Sequence, residues 1–203
     1  MKLLMATSNA GKLKEVSAIM ENMDIEVISL KDVGITADFE ENGTTFAENA
    51  MIKAEGIADL LGEDAKDTIV LADDSGLEID YLNKEPGVYS ARFMGEDTPY
   101  TVKNTELIKR LEGVEDEKRT ARFVCAMAAI MPDGERLRTQ GVMEGRIGYE
   151  IAGENGFGYD PIFYLPQYRM TSAQISPQEK NRISHRGKAL EQMKELIAQR
   201  MAK

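Results

Sequence analysis

The chain has 203 residues, 42% of them hydrophobic, and a formal net charge of −10. That length suits one domain, or one core with two lobes, and the apolar content suffices for a sizeable core. The acidic balance excludes free nucleic acid as the main partner, because gripping a phosphate backbone needs a dominant basic face; a small anion can still bind where a few cations converge.

The single cysteine, Cys125, excludes an intramolecular disulfide and cysteine-cluster zinc sites. It lies in an apolar run and reads as a core residue rather than a nucleophile. No apolar stretch reaches membrane-span length, and Met1-Lys2 leads straight into a strand-like run rather than a signal peptide. A cytoplasmic protein with no membrane partner is expected.

Leu3 to Ala6 predicts a short buried strand. Thr7-Ser8-Asn9-Ala10-Gly11 is a turn, and Leu13, Val16, Ile19 and Met20 predict a helix from about Lys12 to Glu21. Thr7, Ser8, Asn9 and Lys12 thus sit on a strand-to-helix turn, where exposed amides attract phosphate. It is not a P-loop: Ala6 replaces the first glycine, and Leu13 replaces the hydroxyl residue after the lysine. A capped surface turn with a solvated lysine accounts for the same residues. A second strand is expected over Ile25 to Leu30, then a loop with Glu40-Glu41-Asn42-Gly43. Thr45-Phe46-Ala47-Glu48 is a capping box, opening a helix to about Leu61. Asn49 and Lys53, four apart, share one of its faces.

Ile69 to Ala72 predicts a buried strand that stops at Asp73, Asp74, Ser75 and Gly76, with Leu77 to Asp80 as a second short strand. Carboxylates at such a strand end lie where ligands bind in open α/β sheets. Strand alternation lets only one of the two aspartates point fully into a site. An acidic turn is the plain alternative. Thr98 to Glu112 predicts a helix. Phe123 to Met131 is a central strand, and Pro132-Asp133-Gly134 turns it into a strand over Arg136 to Glu144, so the sheet is mixed.

Gly153 to Pro161 is a glycine-rich loop with Phe157, Gly158, Tyr159 and Asp160, without the dinucleotide fingerprint. Its glycines permit close approach to a ligand, and its rings could cover a planar base or plug the core. Ser176-Pro177-Gln178-Glu179 starts a short helix containing Lys180. Ser184 caps the last helix, with Leu190, Met193, Ile197 and Met201 as its buried stripe. His185 and Arg186 occupy its first turn, where the helix dipole disfavours cations, which suggests a ligand. A hydrogen bond from His185, the only histidine, to a loop carbonyl is the alternative. With no repeats or linkers, the chain reads as one continuous α/β domain, 1–203.

Six motifs in this order resemble the inosine/xanthosine triphosphate pyrophosphatases. They are Thr7-Ser8-Asn9-Ala10-Gly11-Lys12, Glu41-Asn42-Gly43-Thr44-Thr45-Phe46 with Glu48-Asn49-Ala50, and Ala72-Asp73-Asp74-Ser75-Gly76-Leu77. The others are Pro86 to Arg92, Gly156-Phe157-Gly158-Tyr159-Asp160-Pro161, and Ile183-Ser184-His185-Arg186. The resemblance implies an elongated mixed β-sheet flanked by helices, two lobes with an active-site cleft between them, and a homodimer. It implies hydrolysis of ITP, dITP and XTP to the monophosphate and pyrophosphate, removing deaminated purine nucleotides from the pool.

Attack at the α-phosphorus calls for a metal, cations and a base for water. One histidine and one cysteine leave mainly oxygen ligands, which select Mg²⁺, or Mn²⁺. By resemblance, Glu41 and Asp74 hold the metal and Asp74 accepts the proton of water. Thr7, Asn9, Lys12, Lys53 and Ser75 bind the phosphates, with Ser8, Ala10 and Gly11 in the same loop. Phe157, Gly158 and Tyr159 border the base, and Asp160, Lys180, His185 and Arg186 read its edge. Donor counting then assigns Arg186 to a 6-oxo group and Asp160 to N1–H. The competing readings are a non-catalytic nucleotide sensor, a protein-interaction module, and a pyrophosphatase of pyrimidine or modified nucleotides.

Overall fold

A computed structural model describes residues 1–7, 9–37 and 39–202. Four strands and three helices come first among the long elements. They are β1 (Lys2–Met5), α1 (Ala10–Met20), β2 (Glu26–Ser29), α2 (Phe46–Leu61), β3 (Thr68–Ile79), α3 (Tyr100–Arg110) and β4 (Thr120–Ile130). Then come β5 (Arg136–Ile147), β6 (Phe163–Leu165), β7 (Met170–Thr171), α4 (Pro177–Ile183) and α5 (His185–Met201). The strands form one mixed sheet in the order β2-β1-β3-β4-β5-β6-β7. β1 runs parallel to both β2 and β3, with Leu4 opposite Ile28 and Val70, whereas β5/β6 and β6/β7 are antiparallel. The short turn after β4, closed by Met131 N donating to Glu135 O at 2.9 Å, is the predicted hairpin.

The chain divides into two compact units. The first comprises 1–74, 125–141 and 186–203. Its β1 and β3 alternate strictly. Leu3, Met5, Ile69 and Leu71 pack on Val16 and Met20 of α1 and on Leu190, Met193 and Ile197 of α5. Leu4 and Val70 go to the other face, against Ile57 of α2. Both faces are therefore covered, which is why these strands read as continuous apolar runs. Cys125 is buried in the first of these clusters, as a core residue. Met201, expected in the α5 stripe, is 38% exposed because it lies in the last turn of the helix.

The second unit comprises 75–124 and 142–185. Leu107 and Leu111 from the end of α3 pack with Leu77, Phe123, Ile147 and Phe163. Among the described residues, no helix is long and apolar enough to cross a membrane.

One expectation is overturned. The strand does not stop at Asp73-Asp74, and Leu77 to Asp80 is not separate: β3 runs unbroken from Thr68 to Ile79. Acidic residues are poor strand formers, but here each carboxylate meets a donor, which makes its burial tolerable.

Candidate active site

Of the residues expected at the phosphates, Thr7, Asn9, Lys12 and Lys53 belong to the first unit and Ser75 to the second. Asn9 caps α1: its Oδ1 accepts from Gly11 N at 2.9 Å and Lys12 N at 3.3 Å, and Thr7 Oγ1 accepts from Asn9 N at 3.1 Å. This closed turn aims Lys12 at β3, where its Nζ meets both oxygens of Asp73 at 2.9 Å. Ala10 opens α1, and Ser8 lies outside the described residues.

Asp73 and Asp74 face opposite ways, as alternation requires. Asp73 is 1% exposed, and Arg186 Nε also reaches it at 3.3 Å while Arg186 NH1 reaches Glu15 at 3.0 Å. Burial pushes the Asp73 carboxyl up, but Lys12, Arg186 and Lys53 outweigh it and hold the group well below the usual carboxylate range. On the other side, Asp74 Oδ2 accepts from Asn49 Nδ2 at 3.0 Å, and Lys53 Nζ lies 4.0 Å from Oδ1. Lys53 Nζ also donates to Glu41 Oε1 at 2.7 Å. Burial raises the Asp74 carboxyl above its ordinary value, with Glu41 and Asp73 adding to the rise against Lys53 and Asn49. Burial also disfavours the Lys53 ammonium, but Asp73, Asp74 and Glu41 together raise it above its ordinary value. Thr7, Lys12, Glu41 and Lys53 line one cavity of about 230 Å³. Asp74 meets that lining through Lys53.

Most of the residues expected at the base lie in the second unit. Tyr159, expected to cover a base, is 4% exposed. Its OH donates to Ser90 O at 2.6 Å, and its ring packs edge-on against Tyr100. It plugs the core. Asp160, expected to take N1–H of a base, is 3% exposed and already satisfied. Oδ2 accepts from Phe157 N at 2.9 Å and from Lys180 Nζ, and Oδ1 accepts from Ser172 Oγ at 2.7 Å. Its carboxylate closes the glycine loop on itself. At Gly156, φ is +77°, and a Cβ would stand 2.2 Å from Asp160 Oδ2, so only glycine fits. Phe157 remains 47% exposed, with Lys180 Nζ 5.1 Å from its ring centre. Gly158 O accepts from Asn104 at 3.1 Å. His185 is buried and stacks on Phe123 at 4.9 Å. Ser75 is half-buried on β3, immediately after Asp74.

Arg186 has partners the sequence did not announce: its guanidinium pairs with Asp73 and Glu15 and so braces Asp73. Sequence reasoning missed Glu15, Ser172 and Asn104, which carry no motif. It saw Asn49 as a face-mate of Lys53 and a member of a motif, without a partner. Within the Pro86 to Arg92 motif, Ser90 Oγ accepts from Leu77 N at 2.9 Å and Ser90 O accepts from Tyr159 OH, which ties the segment to β3 and the glycine loop.

The Ham1 family profile matches residues 3–196. The chain belongs to the Ham1 family. Among Ham1 relatives, the dITP/XTP pyrophosphatase of Clostridium perfringens is 44% identical over 195 residues, 96% of each chain. That of Caldanaerobacter subterraneus subsp. tengcongensis is 47% identical over 201 residues, 99% of this chain and 98% of the relative. The solved Ham1 structure from Coxiella burnetii superposes with a TM-score of 0.88 at 40% identity, covering 98% of this chain and 99% of that one. The Staphylococcus aureus Ham1 protein gives 0.88 at 38% identity, covering 98% and 100%. The mixed α/β sheet is thus the Ham1 fold.

Proposed function

We propose that this chain hydrolyses deaminated purine nucleoside triphosphates, namely dITP, ITP and XTP, to the monophosphate and pyrophosphate. The observation that carries the chemistry is the arrangement of Asp74 and Glu41 around the Lys53 ammonium. Two carboxylates held about one cation make a place where positive charge is favoured. The local balance points the same way: Lys12, Lys53 and Arg186 face four carboxylates, Glu15, Glu41, Asp73 and Asp74. A polyphosphate entering there needs additional positive charge.

Among the described residues, no group of three or more His, Cys, Asp or Glu is arranged to hold a metal. Two carboxylates fit Mg²⁺, or Mn²⁺, which keeps its waters and takes further oxygens from substrate phosphates. Glu41 and Asp74 would hold it, and when bound it would neutralise the polyphosphate and polarise the scissile anhydride. Asp74 would orient the attacking water and accept its proton. Lys12 and Lys53 would exchange part of their carboxylate contacts for phosphate oxygens, with Thr7, Asn9, Ser75 and the 9–11 backbone beside them. Arg186 would keep Asp73 ionised and in place.

For the base, the exposed Phe157 ring would stack, and Lys180, a donor-only group, would meet the 6-oxo acceptor with His185. Adenine puts a 6-amino donor against Lys180, a mismatch of about 1–3 kcal/mol in a buried site. A homodimer in the cytoplasm completes the proposal, and sedimentation would test the dimer. Pyrophosphate release with Mg²⁺ over ITP, XTP, GTP, ATP and dTTP tests the function. Preference for ITP and XTP is expected; ATP or dTTP turned over as fast as ITP would overturn it.

A further inference from the structure

Glu41 and Asp74 lie on separate segments, a loop and a strand, yet must face one point. Asn49 joins the two segments. It is fully buried at 0% exposure, and both ends of its amide are used. Nδ2 donates to Asp74 Oδ2 at 3.0 Å, while Oδ1 accepts from Gly43 N at 2.8 Å, two residues after Glu41. The amide can be oriented only this way, because a backbone N–H requires an acceptor and a carboxylate requires a donor. We infer that Asn49 is a positioning residue for the metal and the water: it fixes the rotation of the Asp74 carboxylate and the distance of the Glu41 loop together. The inference rests on the reading of Asp74 and Glu41 above and deepens it.

Three further observations support it. Gly43 is pressed against the amide so closely that a Cβ there would stand 2.6 Å from Asn49 Oδ1 and 2.7 Å from Glu48 Cβ. The residues between are held by the same helix end: Glu48 Oε2 accepts from Thr44 N at 2.7 Å, Thr44 Oγ1 at 2.8 Å and Thr45 N at 3.2 Å. One turn on, Lys53 closes the circuit by meeting Glu41 and the Oδ1 side of Asp74. With Oδ2 held by Asn49, Oδ1 is the oxygen on the Lys53 side, and it is the one assigned to the reaction. Aspartate at 49 would lack the donor and set a second carboxylate against Asp74. Leucine fills the same space with neither hydrogen bond.

The test uses Asn49→Ala and Asn49→Leu in the full chain, the second keeping the volume in case the first leaves a cavity that unfolds the protein. Mn²⁺ binding to nucleotide-free protein is followed by electron paramagnetic resonance of the free ion, alongside kcat, KM for ITP and Tm. Both kcat and Mn²⁺ affinity should fall about tenfold or more, as is usual when a residue orienting a metal ligand is lost, with KM little changed. In an Asp74→Asn background the same substitutions should weaken Mn²⁺ by a smaller factor, acting only through Glu41, because groups acting as a unit are not additive. Folded Asn49 variants with wild-type kcat and Mn²⁺ affinity would overturn the inference. So would an equal, additive loss in the Asp74→Asn background, which signals a general structural role. Wild-type Mn²⁺ affinity and turnover in Asp74→Asn alone would instead overturn the underlying assignment of Asp74.

Discussion

Asp73 and Asp74 are neighbours with opposite electrostatics, and the two asparagine variants should separate them. A carboxyl held below its unfolded value stabilises the fold above that value and loses the contribution as pH falls. Asp73 is such a group. Asp73→Asn strands Lys12 and the buried Arg186, and breaking a buried pair costs about 3–5 kcal/mol. Its Tm at neutral pH should therefore drop. Asp74 is the reverse: with its carboxyl raised above the ordinary 3.8, its ionisation opposes folding at neutral pH, and the opposition vanishes as pH falls through the raised value. Asp74→Asn should therefore raise Tm in metal-free buffer at pH 7 while lowering turnover about 100-fold or more, the usual cost of losing a general base. Differential scanning calorimetry and pyrophosphate release check both; a Tm fall in Asp74→Asn would contradict this electrostatic picture.

Base reading divides between residues in a testable way. Arg186→Lys should change kcat/KM for ITP and ATP by the same factor, since Arg186 engages Asp73 and Glu15. Lys180→Gln, which can both donate and accept, should lower the ITP/ATP ratio about tenfold or more, one buried mismatch being worth about 1–3 kcal/mol. A fall in that ratio for Arg186→Lys alone would restore Arg186 to the base edge. The opposed directions of Asp73 and Asp74 were legible from strand alternation. Their partners were not, because Lys12 and Arg186 lie 61 and 113 positions away from Asp73, and spacing along a chain carries no information at that range.

At the scale of elements, α2 was legible in full, because Thr45 and Glu48 form the capping box that the pattern announces. Strand β3 was misread because Asp, Ser and Gly read locally as a turn. Tertiary partners made them strand, the kind of override that context-dependent β-propensity permits. The glycine loop was half legible: its close backbone approach was foreseen, but the Asp160 carboxylate that Gly156 and Phe157 N approach was not. Gly156→Ala should force Asp160 away from Lys180 and Phe157 N. A lower Tm and a raised KM for every purine triphosphate are expected, with kcat less affected. An unchanged Tm would show that the loop closes without the Asp160 contacts.

For the whole molecule, a net charge of −10 and a polyanionic substrate are reconciled only locally. The cations that matter are already matched by carboxylates, so turnover should vanish in EDTA. The core clusters are apolar and independent of a metal, so Tm without nucleotide should hold. The central claim is water attack at the α-phosphorus, and isotope placement tests it most directly. ITP turned over with Mg²⁺ in ¹⁸O-water, read by ³¹P NMR, should put the label in the monophosphate and leave pyrophosphate unlabelled. Label in pyrophosphate, or orthophosphate as the first product, would contradict the account.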